Sequence, residues 1–598
     1  MLHQQRIITI DDAPTLADLF NERCIRTPGG LAYVSHRDGA WQEHSWEETR
    51  EQVALWQAAM LSDGLSRGDR VALMCNNSWE WVIFDQAALG LGLITVPLYT
   101  NDRPDNIGWI LADSGARMLL VGTLEQWNGL QGLHDQLAAL HRIVCLEEGA
   151  AGTENVVSMA HWLNRSESPD YHCQPGAAEA LATVIYTSGT TGRPKGVMLS
   201  HHNILFNIQA ALKMFEVFEH DLLLSFLPLS HALERTVGYY LPMAAGAAVA
   251  HNRSIPQLAD DLIEIQPSIL ISVPRIFERV YGKIMGRLSA DTRFRRWLFD
   301  RAVETGWQHF LYQQGRAPWQ SGFLIRRLFD LLVARKVRAK LGGRMRFAVC
   351  GGAALSPAVA KLFIGLGIPL TQGYGLTETS PIISANPFDR NEPASVGLPL
   401  PGIEVKVNEV GELLTRSPSI MLGYWRNQAA TEAVIDTDGW LHTGDKVTVA
   451  ADGHIHITGR LKDIIVLSNG EKVPPGDMEN AIALDELVDQ VLVIGEGRPY
   501  LSALLVPNPE AFARVAEELH LDPANEAVCC DENVRSIFME HVQQRTASFP
   551  GYARVRELAV VNEPWTPDNG LATPTLKLRR NQILERYIDV TEELYVGH

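Results

Sequence analysis

A cationic surplus, a cysteine framework and a membrane-length apolar run are all missing from this chain of 598 residues. The formal net charge is −18, which argues against general nucleic-acid binding, because that requires a basic surface. Seven cysteines (Cys24, Cys75, Cys145, Cys173, Cys350, Cys529, Cys530) are scattered without a C-x-x-C. Their odd total and spacing fit a reducing compartment better than a disulfide scaffold or a zinc site. The most apolar run, residues 87–99, is too short and too interrupted by glycine and proline to span a bilayer. The first twenty residues show no basic region, apolar core and cleavage site of a secretory signal. A cytoplasmic location is expected, with any membrane contact peripheral. Hydrophobic residues at 46 % against 20 % charged describe an ordered globular protein, and the length calls for two or more domains.

What is present is organised around residues 186–196, YTSGTTGRPKG. The apolar, β-branched run 181–186 suits a buried strand that delivers this loop. Thr187, Ser188, Thr190 and Thr191 alternate with Gly189 and Gly192, so backbone N–H groups and hydroxyls can crowd an anion, and Lys195 adds a fixed positive charge. The glycine spacing and the Lys195-Gly196 order are not those of a Walker loop. A plain flexible linker would rarely combine so many hydroxyls with Pro194-Lys195-Gly196 and a flanking strand.

Along the rest of the chain, strands alternate with helices. A helical pattern covers residues 15–65. A strand is expected at 70–74, a helix at 79–91 after a cap at 76–78, and a strand at 95–98. After the loop, Val197-Met198-Leu199 is strand-like and Ser200 caps a helix whose Ile204, Leu205, Ile208, Leu212 and Phe215 face the core. This alternation predicts a mainly parallel α/β sheet.

Residues 283–346 reverse the sign of the chain. They hold 15 Lys and Arg against four acids, a local charge of about +11 that leaves about −29 elsewhere. Trp297, Phe299, Trp307, Phe310, Trp319 and Phe323 are interleaved, and residues 323–341 read as a basic amphipathic helix ended by Gly342-Gly343. Two readings stand: contact with an anionic membrane, or an ordinary helical insertion with a solvated charged face.

The loop string closely resembles the signature of the adenylate-forming enzymes, the superfamily of acyl-CoA synthetases, luciferases and peptide-synthetase adenylation domains. Three further motifs agree in order. Gln372-Gly373-Tyr374-Gly375-Leu376-Thr377-Glu378-Thr379 resembles the family's second motif, in which Tyr374 lies flat on the purine and Glu378 suits Mg²⁺ beside phosphates. Trp440-Leu441-His442-Thr443-Gly444-Asp445 presents Asp445, implied as the bidentate acceptor for the ribose diol. Gly459-Arg460-Leu461-Lys462-Asp463 resembles the hinge, with Arg460 on ribose or phosphate and Lys462 at the pivot, and Lys577 matches the mobile catalytic lysine. By the same resemblance Gly352 and Ala353 border the adenine, with Gln372, Gly375 and Thr377 in the nucleotide site. Glu378 and Thr187 are the implied ligands of Mg²⁺, and His231 stands near the acyl pocket and α-phosphate. His454 and His456 share a strand face, which without further ligands does not make a metal site.

The resemblance implies an α/β fold of a large N-terminal domain, 1–459, carrying the 283–346 insertion, a hinge at 460–463, and a small mobile C-terminal α/β domain, 464–598. It also implies a two-step reaction: ATP and a carboxylic acid give an acyl-adenylate and pyrophosphate, then the acyl group passes to CoA with release of AMP. The insertion and the His231-Ala232-Leu233-Glu234-Arg235 context resemble the long-chain fatty acid branch. A fatty acyl-AMP ligase that serves a carrier protein, and a silent lipid-binding scaffold, are the rival readings. Lys577, Glu378 and Asp445 are all retained, which counts against the scaffold.

Overall fold

The computed structural model describes residues 7–149, 155–164, 170–187, 193–289, 291–523 and 525–596. Short apolar runs become buried strands: Arg70–Met74, Ile94–Pro97, Met118–Val121 and Arg142–Cys145, of which only the leading Arg70 and Arg142 are half-exposed, pair in parallel within an eight-stranded sheet. Leu181–Thr187 joins its parallel part, and Lys195–Ser200 returns antiparallel beside it. A nine-stranded sheet contains Leu222–Ser225, Ala248–His251, Ile269–Ser272, Phe347–Cys350 and Leu370–Gly375, again parallel, with antiparallel strands at each edge.

Helices fill the space between these sheets. Ser200 caps His201–Met214 through a capping box with Asn203, and Trp79–Gly90 is buried on nearly every side, as a helix between two apolar layers must be. One core therefore runs from Leu73 and Leu120 of the first sheet through Trp81, Phe84 and Ile204 to Leu223, Val249 and Ile271 of the second. Within it lies a charged pair. The Arg235 guanidinium bonds Asp85 and donates to the hydroxyls of Thr183 and Thr95, both at 2.7 Å, while the Tyr240 hydroxyl donates to Asp85 at 2.6 Å. Asp85 is 0 % and Arg235 1 % exposed; such charges persist in an apolar core only when every polar atom is compensated.

Beyond these sheets, four antiparallel strands (Glu404–Val407, Glu412–Arg416, Leu441–Val449, Ile455–Arg460) form a smaller layer. After Arg460 the chain builds a separate three-stranded sheet (Val488–Ile494, Leu501–Pro507, Val555–Val560), with apolar clusters around Met478, Leu505 and Phe538 and around Trp565 and Ile583. It meets the larger body through the Arg275–Asp489 ion pair at 3.3 Å and the Asn101 amide, which donates to the Pro574 carbonyl at 3.3 Å. No helix among the described residues is long and apolar enough to cross a membrane.

The structure departs from the expected helical stretch at 15–65. Helices Leu16–Arg26 and Trp46–Ser62 are present, but a hairpin, Leu31–Arg37 with Ala40–Ser45, separates them. Pro28-Gly29-Gly30 breaks the helix, and Asp38 and Gly39 both adopt positive φ (52° and 80°), the conformation that favours tight two-residue hairpin turns. The segment 323–341 is helical in pieces: a 3₁₀ turn Ser321–Ile325, an α-turn Arg326–Phe329, a π-turn Asp330–Ala334 and a final α-turn Arg335–Ala339.

Replacing Arg235 by Met strands the buried Asp85 carboxylate. Urea unfolding is expected to show a loss of about 3–5 kcal/mol, largely restored in the Arg235→Met/Asp85→Leu double variant.

Candidate active site

The carboxyl ends of the parallel strands open onto a cavity of about 2190 Å³, the position where ligands bind in open α/β sheets. Its walls change character along its length. Ala211, Phe215, Val237, Leu241, Ile269 and Ile271 line an apolar limb that reaches into the core of the nine-stranded sheet, while the floor is polar.

The floor is built from side chains far apart in sequence. The hydroxyl of Tyr374 donates to Asp445 at 2.6 Å, and Arg460 Nε donates to its other oxygen at 2.9 Å. Adjacent strands Leu441–Val449 and Ile455–Arg460 pair Asp445 directly with Arg460. Opposite, the Tyr424 hydroxyl donates to Glu378 Oε1 at 2.8 Å, and the Lys195 ammonium stands 5.0 Å from the centre of the same ring. Thr187 and Lys195 face each other across the antiparallel pair at the stem of the signature loop. Of that loop, Ser188, Gly189, Thr190, Thr191 and Gly192 lie outside the described residues.

Lys577 arrives from the C-terminal sheet region on a tight turn. Thr573 Oγ1 accepts from the Lys577 N–H at 3.0 Å, the Thr573 N–H donates to the Lys577 carbonyl at 2.8 Å, and Leu576 takes a positive φ of 61°. Enclosure in the cavity, then the neighbouring Arg460, lowers the affinity of the Lys577 amine for its proton, while Asp445 and Glu378 pull the other way. These groups therefore lie within electrostatic reach of one another. His231 also lines the cavity. Its Nδ1 accepts from the Leu233 N–H at 3.2 Å, which leaves Nε2 to carry the proton of the neutral ring. Burial, assisted by Lys577, pushes its pKa down to about 4.

Gly352, Ala353, Gly375, Thr377 and Lys462 line the same space; Gly352 has a φ of 82°, which favours glycine. Gln372 does not. It is buried, its Oε1 accepting from the Leu355 N–H at 3.1 Å and its amide donating to the Pro393 carbonyl, so its side chain braces the turn after Cys350 instead of facing the cavity. Tyr424 was not anticipated from the sequence, although Gly423-Tyr424-Trp425, an aromatic pair after a glycine of φ 135°, was there to suggest a close approach. His454 and His456 are turned to local partners: Asp452 and the Arg390 carbonyl for His454, the Ala394 carbonyl for His456.

Among the described residues no group of three or more His, Cys, Asp or Glu could enclose a metal. One carboxylate does suit Mg²⁺, which keeps most of its waters and takes the remainder of its shell from phosphate oxygens. Glu378 retains one oxygen without a partner from Tyr424, and Thr187 stands on the same cavity wall.

This fold and this floor define an adenylate-forming enzyme, and the chain belongs to that family: residues 20–425 match the AMP-binding enzyme model and 462–598 its C-terminal domain. Among individual relatives, it is 31 % identical over 98 % of both chains to the long-chain-fatty-acid–CoA ligase FadD15 of Mycobacterium bovis. It is 30 % identical to a chloroplastic long-chain-fatty-acid–acyl-carrier-protein ligase of Arabidopsis thaliana, covering 92 % of this chain and 82 % of that one. In fold it matches the adenylation domain of a carboxylate reductase from Mycobacterium chelonae, with a TM-score of 0.79 at 22 % identity, over 100 % and 94 % of the two chains.

The buried titratable groups set a pH dependence of stability. Burial lowers His201 and His231 to about 4 and His251 to about 3, and raises Glu234 to about 8. Below pH 6.5 the unfolded chain takes up protons that the three histidines refuse when folded, so acid destabilises. Between pH 4.5 and 8 the folded Glu234 holds a proton that the unfolded chain releases, so rising pH destabilises. Each group shifts the unfolding free energy by about 1.4 kcal/mol per pH unit in its window. Stability should peak near pH 6.5, with the steeper fall on the acid side, and Glu234→Gln should flatten the decline from pH 6.5 to 8 in urea titrations.

Proposed function

We propose that this enzyme is a long-chain fatty acid–CoA ligase that works in the cytoplasm in peripheral contact with an anionic membrane. The single observation that carries the ligase reading is a cavity in which a polar floor, with a lysine beside a tyrosine–carboxylate–arginine cluster, continues into an apolar limb inside the core. The similarity to long-chain ligases over the whole chain supports it.

In this reading Tyr374 stacks on adenine beside Gly352 and Ala353, and Asp445 accepts from the ribose hydroxyls. Glu378 and Thr187 would hold Mg²⁺, which would offset phosphate charge when bound. Lys195 and the signature loop bind the β,γ-phosphates. Lys577 donates to both the fatty carboxylate and the α-phosphate, so that two anions can approach in line; a carboxylate oxygen bonds to phosphorus as the pyrophosphate oxygen leaves. The C-terminal region then turns at 460–463, withdrawing Lys577 and admitting CoA, whose sulfur bonds to the acyl carbon as AMP departs. The neutral His231 contributes shape and a hydrogen bond from Nε2. The relative that acylates a carrier protein makes a carrier thiol the alternative acceptor.

AMP release from ATP and palmitate is expected to require CoA and to fall by about 10²–10³ in Lys577→Ala, the usual effect of removing one contact to developing charge. Turnover unaffected by CoA but stimulated by acyl carrier protein would replace the CoA ligase with the alternative. Narrowing the apolar limb tests chain length. Each buried methylene is worth about 0.8 kcal/mol, so Ala211→Phe should lower kcat/KM for palmitate at least about tenfold relative to octanoate. Equal losses on both acids would remove the assignment of this limb to the acyl chain.

A further inference from the structure

Several arginines of the cavity wall are committed to partners. Arg460 is held by Asp445 and Arg275 by Asp489, and Arg580 bonds Glu479 and the Val493 carbonyl. Arg103 and Arg579 differ from these: the Nε of each is buried without a hydrogen-bond partner among the described residues. A buried donor left unmatched is costly, and on a guanidinium the natural complement is an anion.

The two come from different bodies and meet at one corner. Arg103 precedes the helix Pro104–Ser114 of the larger body, while Arg579 follows Lys577 in the C-terminal body and lines the cavity. Arg103 reaches across the boundary. Its Nη1 stands 3.3 Å from where a Cβ of residue 570 would lie, and the glycine there, at a φ of 77°, leaves that space open. Gly570 adjoins Leu571, whose carbonyl accepts from the Arg579 N–H at 2.9 Å. Burial, then the neighbouring Arg103 charge, lowers the affinity of Arg579 for its proton, while Asp102 acts in the opposite sense. Oδ1 of Asp102 already accepts from the Arg103 N–H and the Asn106 amide, both at 2.8 Å, so one carboxylate stands against two guanidiniums. The same helix borders the stem of the signature loop: Trp109 packs edge-on against Tyr186 at 5.8 Å, and the Tyr186 hydroxyl donates to Asp113 at 2.6 Å.

We propose that Arg103 and Arg579 form a second anion site, which takes inorganic pyrophosphate as it leaves the cavity floor and bridges the two bodies while it is bound. The site stands on the unmatched arginine pair; the source of the pyrophosphate rests on the ligase reading. Two forked guanidiniums match the two phosphoryl groups of a diphosphate. Binding replaces a like-charge contact with two ion pairs, so affinity is greatest where the bodies are arranged as in this structure. Reciprocally, departure of pyrophosphate restores the repulsion across the boundary and favours the turn of the C-terminal body at 460–463. CoA also carries a diphosphate, but it is admitted once that body has turned and taken Arg579 away from Arg103, so it cannot bridge the pair.

Isothermal titration of the full-length enzyme with inorganic pyrophosphate tests the site without any turnover. Arg103→Gln and Arg579→Gln should each weaken binding at least about tenfold with an unchanged Tm. The double variant should lose little more, because breaking either end breaks the bridge. Arg103→Lys keeps the charge without the fork and should fall between wild type and Arg103→Gln. In palmitate-dependent ATP–pyrophosphate exchange the glutamine variants should raise the KM for pyrophosphate at least about tenfold, while the KM for ATP and, in the full reaction, for CoA stay at wild-type values. The proposal falls if pyrophosphate binds these variants as tightly as wild type, or if the two single losses simply add. It falls equally if the KM for CoA rises while pyrophosphate affinity does not change, which would give the pair to the CoA diphosphate. Pyrophosphate binding that depends on both arginines, in an enzyme that forms no adenylate with any fatty acid, would overturn the ligase reading and keep the site.

Discussion

The carboxylate of Asp445 accepts from Tyr374 and from Arg460, so two other stretches of chain converge on it. Asp445 is only 3 % exposed, so its charge requires a fixed counter-charge at hydrogen-bond distance. That counter-charge sits on the last residue of the strand Ile455–Arg460, the point from which the chain departs for the C-terminal sheet. The requirement to neutralise one buried carboxylate thus fixes where the second body begins, and Lys577 can then be returned to the cavity by the turn at 573–577. A diol bound to Asp445 would compete with the Tyr374 hydroxyl and leave the Arg460 bond as the anchor.

The same cluster explains why the lysine is poised for anions. Enclosure and Arg460 disfavour its ammonium form, and Asp445 and Glu378 only partly offset them. A carboxylate and a polyphosphate entering the cavity bring the missing negative charge, so binding raises the proton affinity of Lys577 and, reciprocally, the proton strengthens binding. A lysine left in bulk water would gain far less from the same anions, because its charge is already solvated.

Much of this was legible because the features involved are local. Ser200 as a cap, the strand at 70–74 and the helix at 79–90 follow from patterns within one turn or one pleat. The motif residues around Tyr374, Glu378 and Asp445 were recognisable as strings, and most of them line one cavity. What escaped depends on distance in space. The bracing role of Gln372 requires the Leu355 amide and the Pro393 carbonyl to close on it. Tyr424 acts only because the strand Gly423–Tyr424 lies beside Lys195–Ser200. The hairpin at 31–45 was hidden by helical patterning on both sides of it. Nor could periodicity alone show that Leu324, Leu328 and Leu331 are exposed, since the same apolar spacing describes a helix buried on its neighbour.

The apolar limb imposes its own constraint on the charged residues behind its wall. Glu234 opens the π-turn Glu234–Tyr240 directly behind Leu233 and Val237, which line the cavity. A carboxylate there would place a charge beside methylenes. Burial instead raises its pKa to about 8, so near neutral pH the side chain is a proton-bearing acid and the wall stays uncharged. Gly238 is what makes the packing geometrically feasible, because a Cβ at that position would collide with the Glu234 carboxyl. Arg235, the next residue, is buried and neutralised by Asp85. A five-residue run, His231 to Arg235, thereby directs a neutral imidazole to the cavity, an apolar wall to the apolar limb and a paired cation into the core. This division lets one segment border both the charged and the uncharged halves of the cavity.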